Sequence, residues 1–237
     1  MKFTLNNETL LVEIDTDGGY INRLLFEGQP VFYEKQQLDY DGKMKYRGGS
    51  HLCYPQFSSG VNRGLGQHGF ARDLEWVVTD ITYRQVTMQL TRVEGMYKDV
   101  TVNMKHQIKD DMLLTSLSVC NDSDGLIDIA PAFHPYFLVS KEDILKIDGQ
   151  EIDIDADIYP KTVYQKDIKK IEINDLIINV EQKKMPVFAL WTDRKDDYFC
   201  IEPTYNSDAF KREEGYITLE PNKCVDFKFS LEFSRKK

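Results

Sequence analysis

The chain has 237 residues, which suits one large domain or two small ones, with one favoured. Its 39 acidic side chains outnumber 30 basic ones and leave a formal charge of −9, against the basic face that nucleic-acid phosphates require. With 41% apolar residues it is no disordered chain, and at this length a fold buries roughly 70% of its unfolded surface without staples.

Only 6 residues are Ala, the best helix former, whereas 28 are Phe, Tyr or Trp, which favour pleated surfaces. The N-terminal run MKFTLNNETLLVEIDT has no unbroken apolar stretch, so no signal peptide is expected. Residues 46–72, rich in Gly, Ser and Asn, read as a long irregular segment, and such segments in compact domains are usually functional. Beyond it, Val86, Met88 and Leu90 alternate with polar residues. So do Val100, Val102, Met104, His106 and Ile108, and an Asp110-Asp111 turn followed by residues 112–120 predicts a hairpin. Ile152, Ile154, Ala156 and Ile158 predict a short strand whose Asp153, Asp155 and Asp157 form a solvated acidic face. Val187–Trp191 is too short an apolar run to span a membrane. Val225, Phe227, Phe229, Leu231 and Phe233 alternate as the closing strand. Polar outer faces on so many strands predict antiparallel sheets. No linker or repeat divides the chain. The expectation is a single all-β domain over 1–237, an antiparallel β-sandwich.

Several familiar patterns lack their context. Gly64-Leu65-Gly66-Gln67-His68-Gly69 matches the dinucleotide-binding glycine pattern but has neither a buried strand before it nor a helix after it. The three aspartates lack the glycine of a calcium loop, with Ile158 in its place. His51, His68, His106 and His134 have no metal-ligand spacing, and no metal is expected. His106, on an apolar strand face, is read as a satisfied core histidine. Cys53, Cys120, Cys200 and Cys224 are widely spaced, with no CxxC pair, and are read as reduced, mostly buried thiols of a cytoplasmic protein.

Three segments are unusual for a plain sandwich. The first runs from Arg47-Gly48-Gly49 through Tyr54-Pro55-Gln56-Phe57 to Gln67-His68-Gly69-Phe70-Ala71-Arg72. The others are Phe133-His134-Pro135-Tyr136-Phe137 and Phe199-Cys200-Ile201-Glu202-Pro203. The last two set an ionisable residue among aromatics and beside a proline, which cannot donate to a ladder and so marks a strand end or bulge. In this order the segments resemble the aldose 1-epimerase (galactose mutarotase-like) superfamily. The hexose-6-phosphate epimerase branch is the nearest fit to RGG…PQF and QHGFAR. HGFARD with CIEP also resembles the branch that acts on unphosphorylated sugars.

The resemblance implies a galactose mutarotase-like supersandwich and cofactor-free interconversion of sugar anomers. It implies His134 and Glu202 as catalytic residues, and His68 and Arg72 as lining the sugar pocket. Arg47 would help to hold a phosphate, with Gln67 hydrogen-bonding nearby. The chemistry agrees with these residue types: opening a hemiacetal removes a proton from the C1 hydroxyl while the ring oxygen receives one. A carboxylate suits the first task and an imidazolium the second. The expected partner is a small sugar or sugar phosphate, with neither nucleic acid nor membrane, and the protein a monomer or homodimer. A sugar-binding or regulatory protein on the same fold, without turnover, is the alternative. Trp191 either stacks on a sugar face or, as favoured, belongs to the core.

Overall fold

Strict alternation along the chain becomes inward and outward sheet faces. The structure is a computed structural model that describes residues 1–236. Its largest sheet has nine strands, in the order Gln150–Glu151, Leu145–Ile147, Lys170–Ile173, Leu176–Lys183, Lys223–Arg235, Met112–Asn121, Val100–Lys109, Gln85–Leu90 and Trp76–Ile81. Neighbours are antiparallel, and the predicted hairpin pairs Val100 with Asn121 and Lys109 with Met112. Along Val100–Lys109 every second residue from Val100 to Ile108 is buried. A second sheet has six strands: Val163–Lys166, Val187–Trp191, Tyr198–Thr204, Ala132–Phe133 and Leu52–Cys53 in order, with Tyr136–Leu138 also paired to Tyr198–Thr204. A third, four-stranded sheet contains Lys2–Asn6, Leu10–Asp15, Tyr20–Phe26 and Gln29–Pro30.

One apolar core joins the three. Leu117, Phe227 and Phe229 of the large sheet pack in the same cluster as Val12 and Leu24 of the four-stranded sheet and Phe188, Phe199 and Ile201 of the six-stranded one. Each such side chain contributes about 1.5–3 kcal/mol on burial, so these faces, rather than surface ion pairs, hold the layers together. The architecture is the expected all-β antiparallel sandwich.

Two local expectations are corrected. Residues 154–158 are not a strand but one helical turn, Ile154–Ile158. Ile154 and Ile158 are both buried, and a spacing of four also suits a helix face. Asp153 decides the outcome: its Oδ1 accepts the N–H groups of Asp155 and Ala156, each at 3.1 Å, and caps the turn. The cysteines are not all reduced either. Cys120 and Cys224 stand opposite one another in the antiparallel register and form a disulfide, whereas Cys53 and Cys200 are buried thiols. Sequence spacing carries no sign of a cross-strand neighbour 104 residues away. The cytoplasmic expectation loses the support of those two thiols. No helix among the described residues is long and apolar enough to cross a membrane.

Candidate active site

The ladder beside Tyr198–Thr204 is interrupted where the chemistry lies. Ala132 pairs with Thr204 and Tyr136 with Cys200, so His134 falls level with Glu202 in the break between the two short strands. Pro135, which has no N–H to donate, marks this break as expected. Pro203 does not mark a strand end, because it lies within Tyr198–Thr204 opposite Phe188. The neighbouring ladder has already stopped there, so its missing N–H costs little.

Alternation then sorts the side chains. Phe199 and Ile201 enter the main core, and Tyr198, Cys200, Glu202 and Thr204 share the other face. Nε2 of His134 lies 3.1 Å from Oε2 of Glu202, with the two residues only 4% and 2% exposed. The contact is not aligned as a hydrogen bond, so Oε2 of Glu202 is buried without a partner, and the other ring nitrogen of His134, Nδ1, has none either. The His134 ring lies against both His51 and Tyr136, with both centroids 4.7 Å away.

The irregular segment supplies the wall. Its fold depends on glycines where no side chain fits: at Gly69, with φ +70°, a Cβ would sit 2.1 Å from the Tyr54 carbonyl oxygen. His68 also has positive φ, at 64°, and its N–H donates to the Ser58 carbonyl at 2.8 Å. Nδ1 of His68 accepts the Ser58 N–H at 3.2 Å, so a neutral ring carries its proton on Nε2. The Gln67 side-chain nitrogen lies 3.3 Å from that Nε2. Arg72 donates from Nη2 to the Gln67 carbonyl at 2.9 Å and points Nη1 at Nε2 of His51, 3.5 Å away.

Arg47 arrives on a separate hairpin, Gln36–Tyr40 with Lys43–Arg47. Its Nε and Nη2 each lie 3.4 Å from Asp193 Oδ2, and its guanidinium sits over the rings of Tyr40 and Trp191. Tyr40 and Tyr198 also donate to Asp193. Burial opposes ionisation of that carboxyl, but the hydrogen bonds from Tyr198, Tyr40 and the Lys195 N–H, together with the charge of Arg47, hold its pKa below the usual carboxylate range.

All six side chains singled out in the sequence, His134, Glu202, His68, Arg72, Arg47 and Gln67, line one cleft of about 420 Å³. Trp191, favoured as core, packs half-buried against the cluster of Tyr33, Tyr136, Tyr198 and Cys200 and also lines this cleft. His106 is buried as expected but not satisfied: Nδ1 meets Thr115 Oγ1 at 3.0 Å, and Nε2 has no partner.

Burial sets the protonation of the pair. It raises the Glu202 pKa well above the carboxylate range. It lowers that of His134 well below the imidazole range, helped by His68, Arg72 and Arg47. His68 is lowered to about 3, first by burial and then by the two arginines. Burial thus favours the neutral forms of both groups, the protonated carboxyl of Glu202 and the neutral imidazole of His134. That differs from the carboxylate and imidazolium expected from the residue types alone.

Comparison with known proteins identifies the family. The profile of the aldose 1-epimerase family matches residues 1–176. The chain belongs to that family. A protein of Escherichia coli (strain K12) provisionally named as a glucose-6-phosphate 1-epimerase is 27% identical over 127 residues, covering 50% of this chain and 41% of that relative. The match thus spans less than half of the relative's length. Among solved structures, a Synechocystis sp. PCC 6803 protein shares the fold with TM-score 0.81 and 20% identity, covering 100% of this chain and 96% of the other. A galactose mutarotase related enzyme from Lactobacillus acidophilus gives TM-score 0.80 at 18% identity, covering 99% and 97%.

In this member of the aldose 1-epimerase family the structure adds residues that the motifs did not single out. Lys45, Tyr136, Thr162 and Tyr164 line the cleft, and His51 and Asp193 support residues that do. Tyr136 was legible within the FHPYF segment. Asp193, 146 residues from Arg47, carried no local signal. Ligand atoms of His134, Cys200 and Glu202 lie within 4.8 Å of one another. Burial holds the Cys200 thiol protonated, and Arg47 and Arg72 line the same cleft, so the charges there favour an anionic or neutral polar ligand over a cation.

Proposed function

We propose that this protein is a cofactor-independent aldose 1-epimerase that interconverts the α and β anomers of a hexose or hexose 6-phosphate. The observation that carries this reading is the 3.1 Å approach of His134 and Glu202 in the cleft that also holds His68, Arg72, Arg47 and Gln67. One member of the pair takes the O1 proton as the C1–ring oxygen bond breaks and C1=O1 forms, and the other protonates the departing ring oxygen. Rotation about C1–C2 presents the other face of the aldehyde, and the roles reverse on closure. Glu202 acts as the O1 base and His134 as the ring-oxygen acid once the shared proton has crossed to His134. The approach of the two groups keeps that transfer within reach, and either partner can hold the proton.

The cleft walls suit a sugar. The Nε2–H of His68 is a directed donor, Arg72 offers a planar fork of N–H groups, and Trp191 and Tyr164 provide aromatic faces. Arg47 is charge-balanced by Asp193, so Arg72 and Lys45 are the cleft cations without a carboxylate salt bridge among the described residues. Together the three basic residues fit a phosphorylated hexose.

Anomer exchange measured by NMR on glucose, galactose and glucose 6-phosphate, with and without protein, tests this reading. Acceleration of at least one sugar is expected, and acceleration of glucose 6-phosphate alone would assign the phosphate. Binding without acceleration of any of the three would favour the non-catalytic alternative.

A further inference from the structure

A second, smaller cavity lies behind the site, away from the cleft. It measures about 10 Å³ and is enclosed by buried residues, among them Phe32, Met104 and Phe229. That volume is close to the roughly 10–15 Å³ required by one water. Its wall is not wholly apolar, because Ser50, His51, His106 and Thr115 also line it. Two of these bring buried nitrogens that lack hydrogen-bond partners, Nδ1 of His51 and Nε2 of His106. An unpartnered buried polar atom is costly, about 1–3 kcal/mol, and two on one small cavity require a common explanation.

We propose that this cavity is a water site, and that its water joins His51 to His106 and holds in place the histidine against which Arg72 rests.

The bonding options leave one consistent direction. Burial lowers the pKa of both rings, that of His106 to about 4, so each is neutral near pH 7 with one N–H and one bare nitrogen. Arg72 has only donors, so Nε2 of His51, 3.5 Å from Nη1, is the bare nitrogen. His51 therefore carries its proton on Nδ1 and donates to the water. The water donates to Nε2 of His106, whose proton is then on Nδ1 and goes to Thr115 Oγ1 at 3.0 Å. Ser50 supplies a further polar group on the cavity wall. The chain runs from Arg72 through His51, water and His106 to Thr115, with no proton transferred. His106 and Thr115 are thereby positioning residues: they act on the cleft through His51, which also stacks on His134.

The test reads tautomers directly, without sugar, from long-range proton–nitrogen NMR correlations of histidine-labelled protein near pH 7. His51 and His106 are both expected as Nδ1–H forms. Thr115→Val, nearly isosteric, removes the acceptor, and His106→Phe removes the ring nitrogens. Either should disturb the water that accepts from His51 and shift the His51 Nδ1 signal, with Nε2 still kept bare by Arg72. The functional consequence rests on the epimerase reading: KM should rise about 3- to 10-fold, the worth of one hydrogen bond, with kcat held within about 2-fold. An Nε2–H His51 in the unsubstituted protein, or His51 signals unchanged in both folded variants, would overturn the proposal while leaving the epimerase reading intact. If the His51 signals respond as expected but no sugar is turned over, the water site stands and the epimerase reading fails.

Discussion

The two faces of Tyr198–Thr204 are equally buried and chemically opposite. Phe199 and Ile201 face the main core, whereas Tyr198, Cys200, Glu202 and Thr204 face the cleft side, and every residue of the strand is buried. Elsewhere in this molecule polar residues on alternate positions mark a solvated face, as along Val100–Lys109. The difference shows that alternation alone reports two faces, not which of them is wet. A polar face that is as buried as its apolar reverse needs partners for its polar groups. Here Glu202 Oε2 lacks one and lies beside a cleft fit for a sugar.

Substitutions on the two faces should separate chemistry from stability. The largest effect is expected from His134→Asn on the cleft side, which should slow anomer exchange about 10²- to 10⁴-fold, the usual loss for a general acid or base. Its circular dichroism and melting transition should stay close to those of the parent. The reverse pattern is expected from Ile201→Ala on the core side: a loss of about 2–5 kcal/mol in denaturant unfolding, with the exchange rate per folded molecule preserved. If Ile201→Ala removed activity from the folded protein, or His134→Asn chiefly its stability, the division between the faces would be wrong.

A smaller effect should appear in the pH dependence of kcat. Activity requires one proton on the His134–Glu202 pair. Acid adds a second proton at His134, whose pKa is lowered, and alkali removes the first from Glu202, whose pKa is raised. The profile should therefore be flat through neutrality, with its acid midpoint below the ordinary imidazole value of about 6.5. An acid midpoint at or above that value would mean that the group whose protonation stops the reaction does not have the lowered pKa of the buried His134.

Much of this was legible in the sequence. Period-two patterns fixed the long strands because each had one apolar face, and the hairpin around Asp110-Asp111 was read in register. His134, Glu202, His68, Arg72, Arg47 and Gln67 were legible as a set through motif order, and the fold brings all six to one cleft. What remained hidden depended on distant partners. Asp153 caps a helical turn in a stretch whose apolar spacing fits helix and strand alike. Cys120 meets Cys224 only through strand register. Trp191 sits at the end of an apolar run, and only the position of its strand beside Tyr198–Thr204 places it in the cleft. His106 looked self-sufficient because the cavity it shares with His51 is formed by strands far apart in sequence.

Under the proposed function Glu202 moves the O1 proton. The most direct measurement is NMR exchange between sugar anomers, using whichever hexose the unsubstituted protein accelerates, with Glu202→Gln as the comparison. The amide keeps the shape of the side chain and cannot accept that proton. Exchange at the uncatalysed rate is expected in a folded Glu202→Gln protein that still binds the sugar. Retained acceleration in that folded variant would contradict it.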